Sequence, residues 1–109
     1  MTHDPEITRE ILNAFWKIHI LYHAAKEPIS GNWMLKELRE HGYEISPGTL
    51  YPLLKRMSER NWLKDVSQER QSPKDARLYR ITDRGLEVLD VVCQQLNELK
   101  SEVLPKSQD

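Results

Sequence analysis

The first thirty residues carry apolar side chains at the spacing of an α-helix. Asp4, Pro5 and Glu6 indicate a helix start, because acids are favoured near the positive end of a helix and proline fits its first turn. Two neighbouring apolar stripes follow: Ile7, Ile11, Phe15, Ile18, Tyr22 and Ala25, and then Leu12, Trp16 and Ile20. We predict a helix over residues 5–27 that packs on its own domain with one stripe and on a second subunit with the other. One unusually broad core stripe is the alternative.

Two further helices are predicted before the middle of the chain. Ser30 is a capping residue for the first, and Gly42 is suited to the left-handed conformation that ends it. Its apolar face consists of Met34, Leu35 and Leu38. Ser46 and Pro47 start the next helix, and we expect the Ser46 hydroxyl to accept a hydrogen bond from its first turn. Pro52 lies inside that helix and removes one backbone donor.

The helix that begins at Ser46 has an apolar face and a polar face. The apolar face consists of Leu50, Leu53, Leu54 and Met57, and the polar face of Thr49, Tyr51, Lys55, Arg56 and Glu59. A helix N-terminus with hydroxyl groups, followed by Lys55 and Arg56, suits contact with a phosphate backbone. A solvated surface helix is the simpler interpretation of this segment taken alone.

The residues after this helix predict a two-stranded hairpin. Residues 62–66 and 77–81 are rich in β-branched and aromatic side chains, and the polar stretch between them contains Pro73. A recognition helix followed by a hairpin is the arrangement of a winged helix, a helix-turn-helix variant that binds DNA. Arg70, Lys74 and Arg77 would lie on the wing.

A long C-terminal helix is predicted over residues 82–104. Thr82 is its capping residue, and apolar positions follow at the spacing of a coiled-coil seam: Leu89, Val92, Leu96, Leu99 and Val103. About two heptads are too short to be stable alone. We therefore expect this seam to pack against the first helix and its copy in a second subunit, with dimerisation through the seam, Ile11 and Phe15.

The motifs in this order resemble those of the PadR family of bacterial transcriptional regulators. The resemblance rests on Pro28-Ile29-Ser30-Gly31, Leu35-Lys36-Glu37-Leu38, Thr49-Leu50-Tyr51-Pro52 and Arg77-Leu78-Tyr79-Arg80-Ile81-Thr82 with Gly85. It implies a homodimeric repressor that binds palindromic operator DNA through a recognition helix and a basic wing. The DNA-binding residues would be Ser46, Thr49, Tyr51, Lys55, Arg56, Arg70, Lys74 and Arg77.

The resemblance also implies a mainly α fold with a small β-hairpin. We expect one domain over residues 1–109, with a winged-helix core at 28–84 and dimerisation helices at 5–27 and 82–104, as in the short subfamily with a single C-terminal helix. The sequence departs from the family pattern at three places. Asn61-Trp62 stands where a Gly-aliphatic pair is usual, Ser72-Pro73 replaces wing glycines, and Leu78 replaces a common aromatic residue.

The charge distribution supports a DNA-binding surface more than the net charge of −1 does. Residues 46–80 contain eight basic and four acidic side chains, so the excess of basic charge lies in the recognition helix and wing. The alternative is a winged helix that binds another protein, since fold alone does not fix function. Convergence of basic side chains on one surface would favour DNA.

No grouping typical of a catalytic or cofactor site is present, so we expect neither an enzyme nor a bound cofactor. His19 and His23 are four residues apart, the spacing of a shared metal ligand pair, but no companion ligands accompany them and no metal site is predicted. Neither a signal peptide nor a membrane span is expected, which favours the cytoplasm.

Two expectations concern the region where the first and last helices are predicted to meet. Cys93 lies beside Val92 and Leu96 and is predicted to be a packed, unreactive thiol. Some PadR-like dimers bind flat aromatic compounds between their first and last helices, and the resemblance suggests the hypothesis of such an effector here. The alternative is that the aromatic rings of the first helix simply fill the dimer core. The hypothetical effector site consists of Phe15, Trp16 and Leu96, with the ligand stacked on Trp16.

Overall fold

The computed structural model describes residues 4–71 and 76–106. The first helical run, α1, spans residues 5–26 and consists of Pro5–Ile7, a π-helical segment Thr8–Leu12 and Asn13–Lys26. Asp4 caps it, because its Oδ1 accepts a hydrogen bond of 2.9 Å from the Glu6 amide. The amide of Asn13 donates to the Thr8 carbonyl, which is the bond that widens the helix at this point.

Helices α2 (Gly31–Glu40) and α3 (Pro47–Glu59) form the helix-turn-helix pair. Ser30 caps α2 by accepting a 3.1 Å bond from the Trp33 amide, and Gly42 has the left-handed φ of 92° after α2. The predicted cap at Ser46 is wrong, because its side chain makes no hydrogen bond to the α3 backbone. Its hydroxyl donates to Thr49 Oγ1 instead. Pro52 is accommodated within α3.

The sheet has three antiparallel strands in the order β1 (Ile29–Ser30), β3 (Leu78–Ile81), β2 (Leu63–Asp65). The predicted hairpin is present as β2 and β3, with Leu63 opposite Ile81 and Asp65 opposite Tyr79. Strand β1 was not predicted, and it pairs Ile29 with Tyr79 on the other side of β3. The sheet therefore ties the start of the helix-turn-helix pair to the base of the wing.

The last helix, α4, spans Asp83–Val103. Thr82 is its N-cap as predicted, accepting a 2.9 Å bond from the Gly85 amide. Gly85 is buried against the loop before β2, where an added Cβ would overlap the Trp62 carbonyl oxygen. The start of α4 is therefore fixed on the sheet, and the rest of the helix extends away from it.

The core lies between α1, α2, α3 and the sheet. From α1 it receives Trp16, Ile20, Leu21 and Ala24, and from α3 it receives Leu50, Leu53, Leu54 and Met57. Within residues 4–71 and 76–106, every helix is too short or too polar to span a lipid bilayer.

Candidate nucleic-acid interface

The outward face of α3 carries the polar side chains that the sequence assigned to it. Thr49, Tyr51, Lys55 and Arg56 are exposed, while the four apolar residues on the opposite side are buried. Ser46 and Thr49 lie at the N-terminus of α3, where the Ser46 hydroxyl donates to Thr49 Oγ1 over 3.2 Å. This helix end combines hydroxyl groups with the positive end of the helix dipole, a pairing that suits phosphate oxygens.

A groove between α3 and β3 forms the wing side of the surface. Tyr51 and Lys55 line it from α3, and Arg77 lines it from the base of the wing. The Tyr51 ring lies directly over Gly31, so a side chain at the start of α2 would displace this ring. Three of the predicted DNA-binding residues therefore meet in one groove.

Arg77 also has a structural role at the base of the wing. Its Nη1 donates to Asp65 Oδ2 over 2.9 Å, across the two strands. Burial raises the pKa of Asp65, but hydrogen bonds from Ser67 and Arg77 outweigh that effect, so the pKa lies below its ordinary value. Of the remaining wing residues, Arg70 is exposed, and Lys74 lies outside the described residues.

A second groove, between α3 and α1, was not predicted from the sequence. It brings Arg9 and Lys17 of α1 and Arg39 of α2 to the same surface as Ser46, Thr49 and Arg56. Glu44 is the acidic residue among them. The signal was present in the sequence, because Arg9, Asn13 and Lys17 recur every four residues and so share one polar face of the helix. The basic surface therefore extends along both sides of α3.

The family assignment follows from comparison with known proteins. A model of the transcriptional regulator PadR-like family matches residues 20–91, which include the helix-turn-helix pair, the sheet and the start of α4. The chain belongs to this PadR-like family. It is 43% identical over 97 residues to the transcriptional regulator Rv3488 of Mycobacterium tuberculosis, a match that covers 88% of this chain and 89% of that protein.

Two solved PadR structures have the same fold. The PadR-like transcriptional regulator of Bacillus cereus superposes with a TM-score of 0.71 at 31% identity, over 86% of this chain and 92% of that one. A PadR family transcriptional regulator of Eggerthella lenta also gives a TM-score of 0.71, at 30% identity, over 90% of this chain and 86% of that one. The resemblance to the PadR family and the mainly α, winged-helix fold class are thereby confirmed.

This PadR-like chain exposes apolar surface on α1 and α4. On α1, Ile7, Ile11, Phe15 and Tyr22 point away from the core. On α4, Leu89 and Val92 are half-buried, with Leu89 packed against the core, whereas Leu96, Leu99 and Val103 are exposed. The N-terminal part of the predicted seam therefore packs against its own chain, whereas the C-terminal part is exposed.

The three residues of the hypothetical effector site do not lie together. Phe15 and Leu96 both line a groove between α1, α2 and α4. Trp16 does not, because it is only 4% exposed, sits in the core edge-on to Tyr43, and borders the groove on the α3 side instead. A ligand stacked on Trp16 beside Leu96 is therefore excluded by this geometry. Cys93 lines the Phe15 groove and is exposed in the single chain, so its predicted packing would require the second subunit.

Proposed function

We propose that this PadR-like regulator is a homodimeric repressor that binds palindromic operator DNA. The observation that supports it best is the outward face of α3, flanked by Lys55 and Arg77 on one side and by Arg9, Lys17 and Arg39 on the other. In this proposal α3 enters the major groove, and the basic residues beside it contact the phosphates on the two groove edges.

Each part of the surface then has its own role in recognition. Thr49 and Tyr51 project from α3 and would contact base edges, which is where sequence is read. Lys55, Arg56 and Arg70 would contact phosphates, together with Lys74 of the wing. Arg77 would hold the wing in place through Asp65 as well as contribute charge.

The homodimer is proposed from the exposed apolar side chains of α1 and α4. Contiguous apolar surface of this kind is uncommon on a monomer, and a second copy offers the same residues around a twofold axis. Two copies would present two α3 helices, which is why a palindromic operator is expected. The repressor role is part of the proposal through the PadR resemblance.

A gel-shift and footprinting experiment on the DNA upstream of the chain's own gene tests this proposal. We expect one retarded complex containing two chains and a protected palindrome. Thr49→Ala and Tyr51→Ala should change the preference between operator variants, whereas Lys55→Ala should weaken binding to all of them. Lys106→Ala is the control, since this exposed lysine follows α4 and lies in neither groove. Equal binding of every variant would contradict the proposal.

We also propose that any planar aromatic effector binds the groove that Phe15 and Leu96 line, without Trp16. Tyr22 supplies a second exposed ring there, and the cavity volume is about 530 Å³, within the usual range for small ligands. Titration of planar aromatic compounds into wild type, Phe15→Ala and Trp16→Phe tests this. Affinity should fall for Phe15→Ala and stay unchanged for Trp16→Phe. Unchanged affinity for Phe15→Ala with reduced affinity for Trp16→Phe would contradict this proposal.

A further inference from the structure

Three of the four histidines in the chain lie together where α1 meets the end of α2. His19 and His23 are one turn apart on α1, and His41 directly follows α2. One ring nitrogen from each can be chosen so that all three lie within 4.8 Å of one another. The sequence showed only the first two, because His41 is brought to them by the packing of the helices. The missing third ligand is thus present in the fold.

A carboxylate stands next to these imidazoles. Glu37 Oε1 lies 3.2 Å from His41 Nε2 and 3.5 Å from His23 Nε2. On the other side, His19 Nε2 lies 3.3 Å from the Tyr43 hydroxyl, and the rings of His19 and His41 are 4.8 Å apart at their centroids. Glu37 and His23 are partly buried, while the His41 side chain is 48% exposed. The cluster is therefore open to solvent on one side.

We propose that His19, His23 and His41 bind a divalent transition-metal ion such as zinc, with Glu37 as the fourth ligand. Imidazole nitrogens suit zinc, copper and nickel, whereas calcium and magnesium prefer oxygen ligands. Three histidines and one carboxylate fill a tetrahedral zinc site.

The distances are close to those that zinc requires. Zinc holds its nitrogen ligands at about 2.0–2.1 Å, which places them roughly 3.3 Å apart in a tetrahedron. The three imidazole nitrogens lie within 4.8 Å of one another, so they need to approach by about 1.5 Å at most. The His41 side chain is 48% exposed, so in this proposal it rotates towards His19 and His23 when the ion binds. The bound ion would then join α1 to the end of α2.

Zinc binding to untagged protein, stripped of metal by a chelator, tests the proposal. We expect one zinc ion per chain by calorimetry, and no binding of calcium or magnesium. His41→Ala should weaken zinc affinity by at least about 100-fold, because groups outside the ligand shell already contribute roughly 10–100-fold. Glu37→Gln should weaken it less. Thermal unfolding without metal confirms that each variant is folded.

The controls separate this site from other ways of holding zinc. His3 lies outside the described residues and is not part of the proposed site, so His3→Ala should bind zinc as wild type does. The three histidines and Cys93 all line the Phe15 groove, and Cys93→Ser should also retain binding. Ring nitrogen NMR signals of three histidines, and not the fourth, should shift on zinc addition. Unchanged affinity in His41→Ala, or loss of binding in Cys93→Ser or His3→Ala, would overturn the proposal.

Discussion

Gly85, in the first turn of α4, lies directly against the carbonyl oxygen of Trp62, the residue that precedes β2. That oxygen accepts a 3.0 Å hydrogen bond from the Thr82 amide, so it cannot move away without loss of the bond. A Cβ at position 85 would also come within 2.6 Å of Ile81 Cγ1. Gly85→Ala should therefore destabilise the protein by about 2 kcal/mol, measured by urea unfolding.

The matched control for this substitution is Gly48→Ala. A Cβ at Gly48 would meet only Ser46 Oγ, at an ordinary contact distance of 3.8 Å. Alanine is also a better helix former than glycine, so stability should be unchanged or slightly higher. If Gly48→Ala and Gly85→Ala lower the free energy of unfolding equally, the close approach of α4 to the Trp62 carbonyl is not the cause of the destabilisation.

The metal-free protein should lose stability as the pH falls below about 6.5. Burial lowers the pKa of His19, and the charges of His41 and His23 lower it further, while Glu37 opposes them. Burial also lowers the pKa of His23, where Glu37 again opposes the effect. Since the folded pKa values lie below the unfolded ones, the unfolded chain binds more protons in this window. Stability is therefore complete above the unfolded pKa and declines as the pH falls through the folded values.

Urea unfolding in the presence of a chelator measures this effect. We expect a lower unfolding midpoint at about pH 5.5 than at about pH 7.5. A variant with His19→Gln and His23→Gln should show a smaller difference between the two pH values. If that variant loses as much stability on acidification as wild type, other groups control the pH dependence.

Substitution of Leu96 tests the proposed dimer interface. Leu96 is exposed on α4 in the single chain, in line with Leu99 and Val103. Leu96→Glu would place a charge in the apolar seam, and the cost of its burial should shift the protein towards monomer in sedimentation experiments at micromolar concentration. Gln95→Glu adds the same charge at the neighbouring exposed position and should leave the dimer intact. A wild-type protein that sediments as a monomer would rule out this interface.

Local signals in the sequence were sufficient to predict most of the elements. The caps at Ser30 and Thr82 and the apolar spacing of α3 depend on neighbouring residues alone, and the structure has them as predicted. Asn61 stands where the family pattern has a glycine. Its φ of 63° is left-handed, and asparagine adopts this conformation more readily than most residues, so the substitution is tolerated.

Features that depend on distant residues could not be predicted in this way. Strand β1 has two residues and exists because Ile29 pairs with Tyr79, fifty positions later. Neighbouring stripes on one helix do not reveal which of them faces the core, and this is why the effector hypothesis could include Trp16 although it lies in the core. Arg39 and His41 join residues of α1 only through packing of the helices. The predicted cap at Ser46 is absent, because the Ser46 hydroxyl is directed at Thr49 Oγ1 and accepts no hydrogen bond from a backbone amide of α3.

The central claim is that basic residues beside α3 contact the phosphate backbone. The most direct test of this claim is the salt dependence of DNA affinity. Binding to the upstream DNA should weaken steeply with salt, and Lys55→Ala should reduce the slope of log affinity against log salt by about 1.8, for one phosphate contact in each half-site. Arg39→Ala should reduce it similarly if the groove beside α1 takes part, and Lys106→Ala should leave it unchanged. An affinity that does not change with salt, or the same slope for all three variants as for wild type, would contradict the claim.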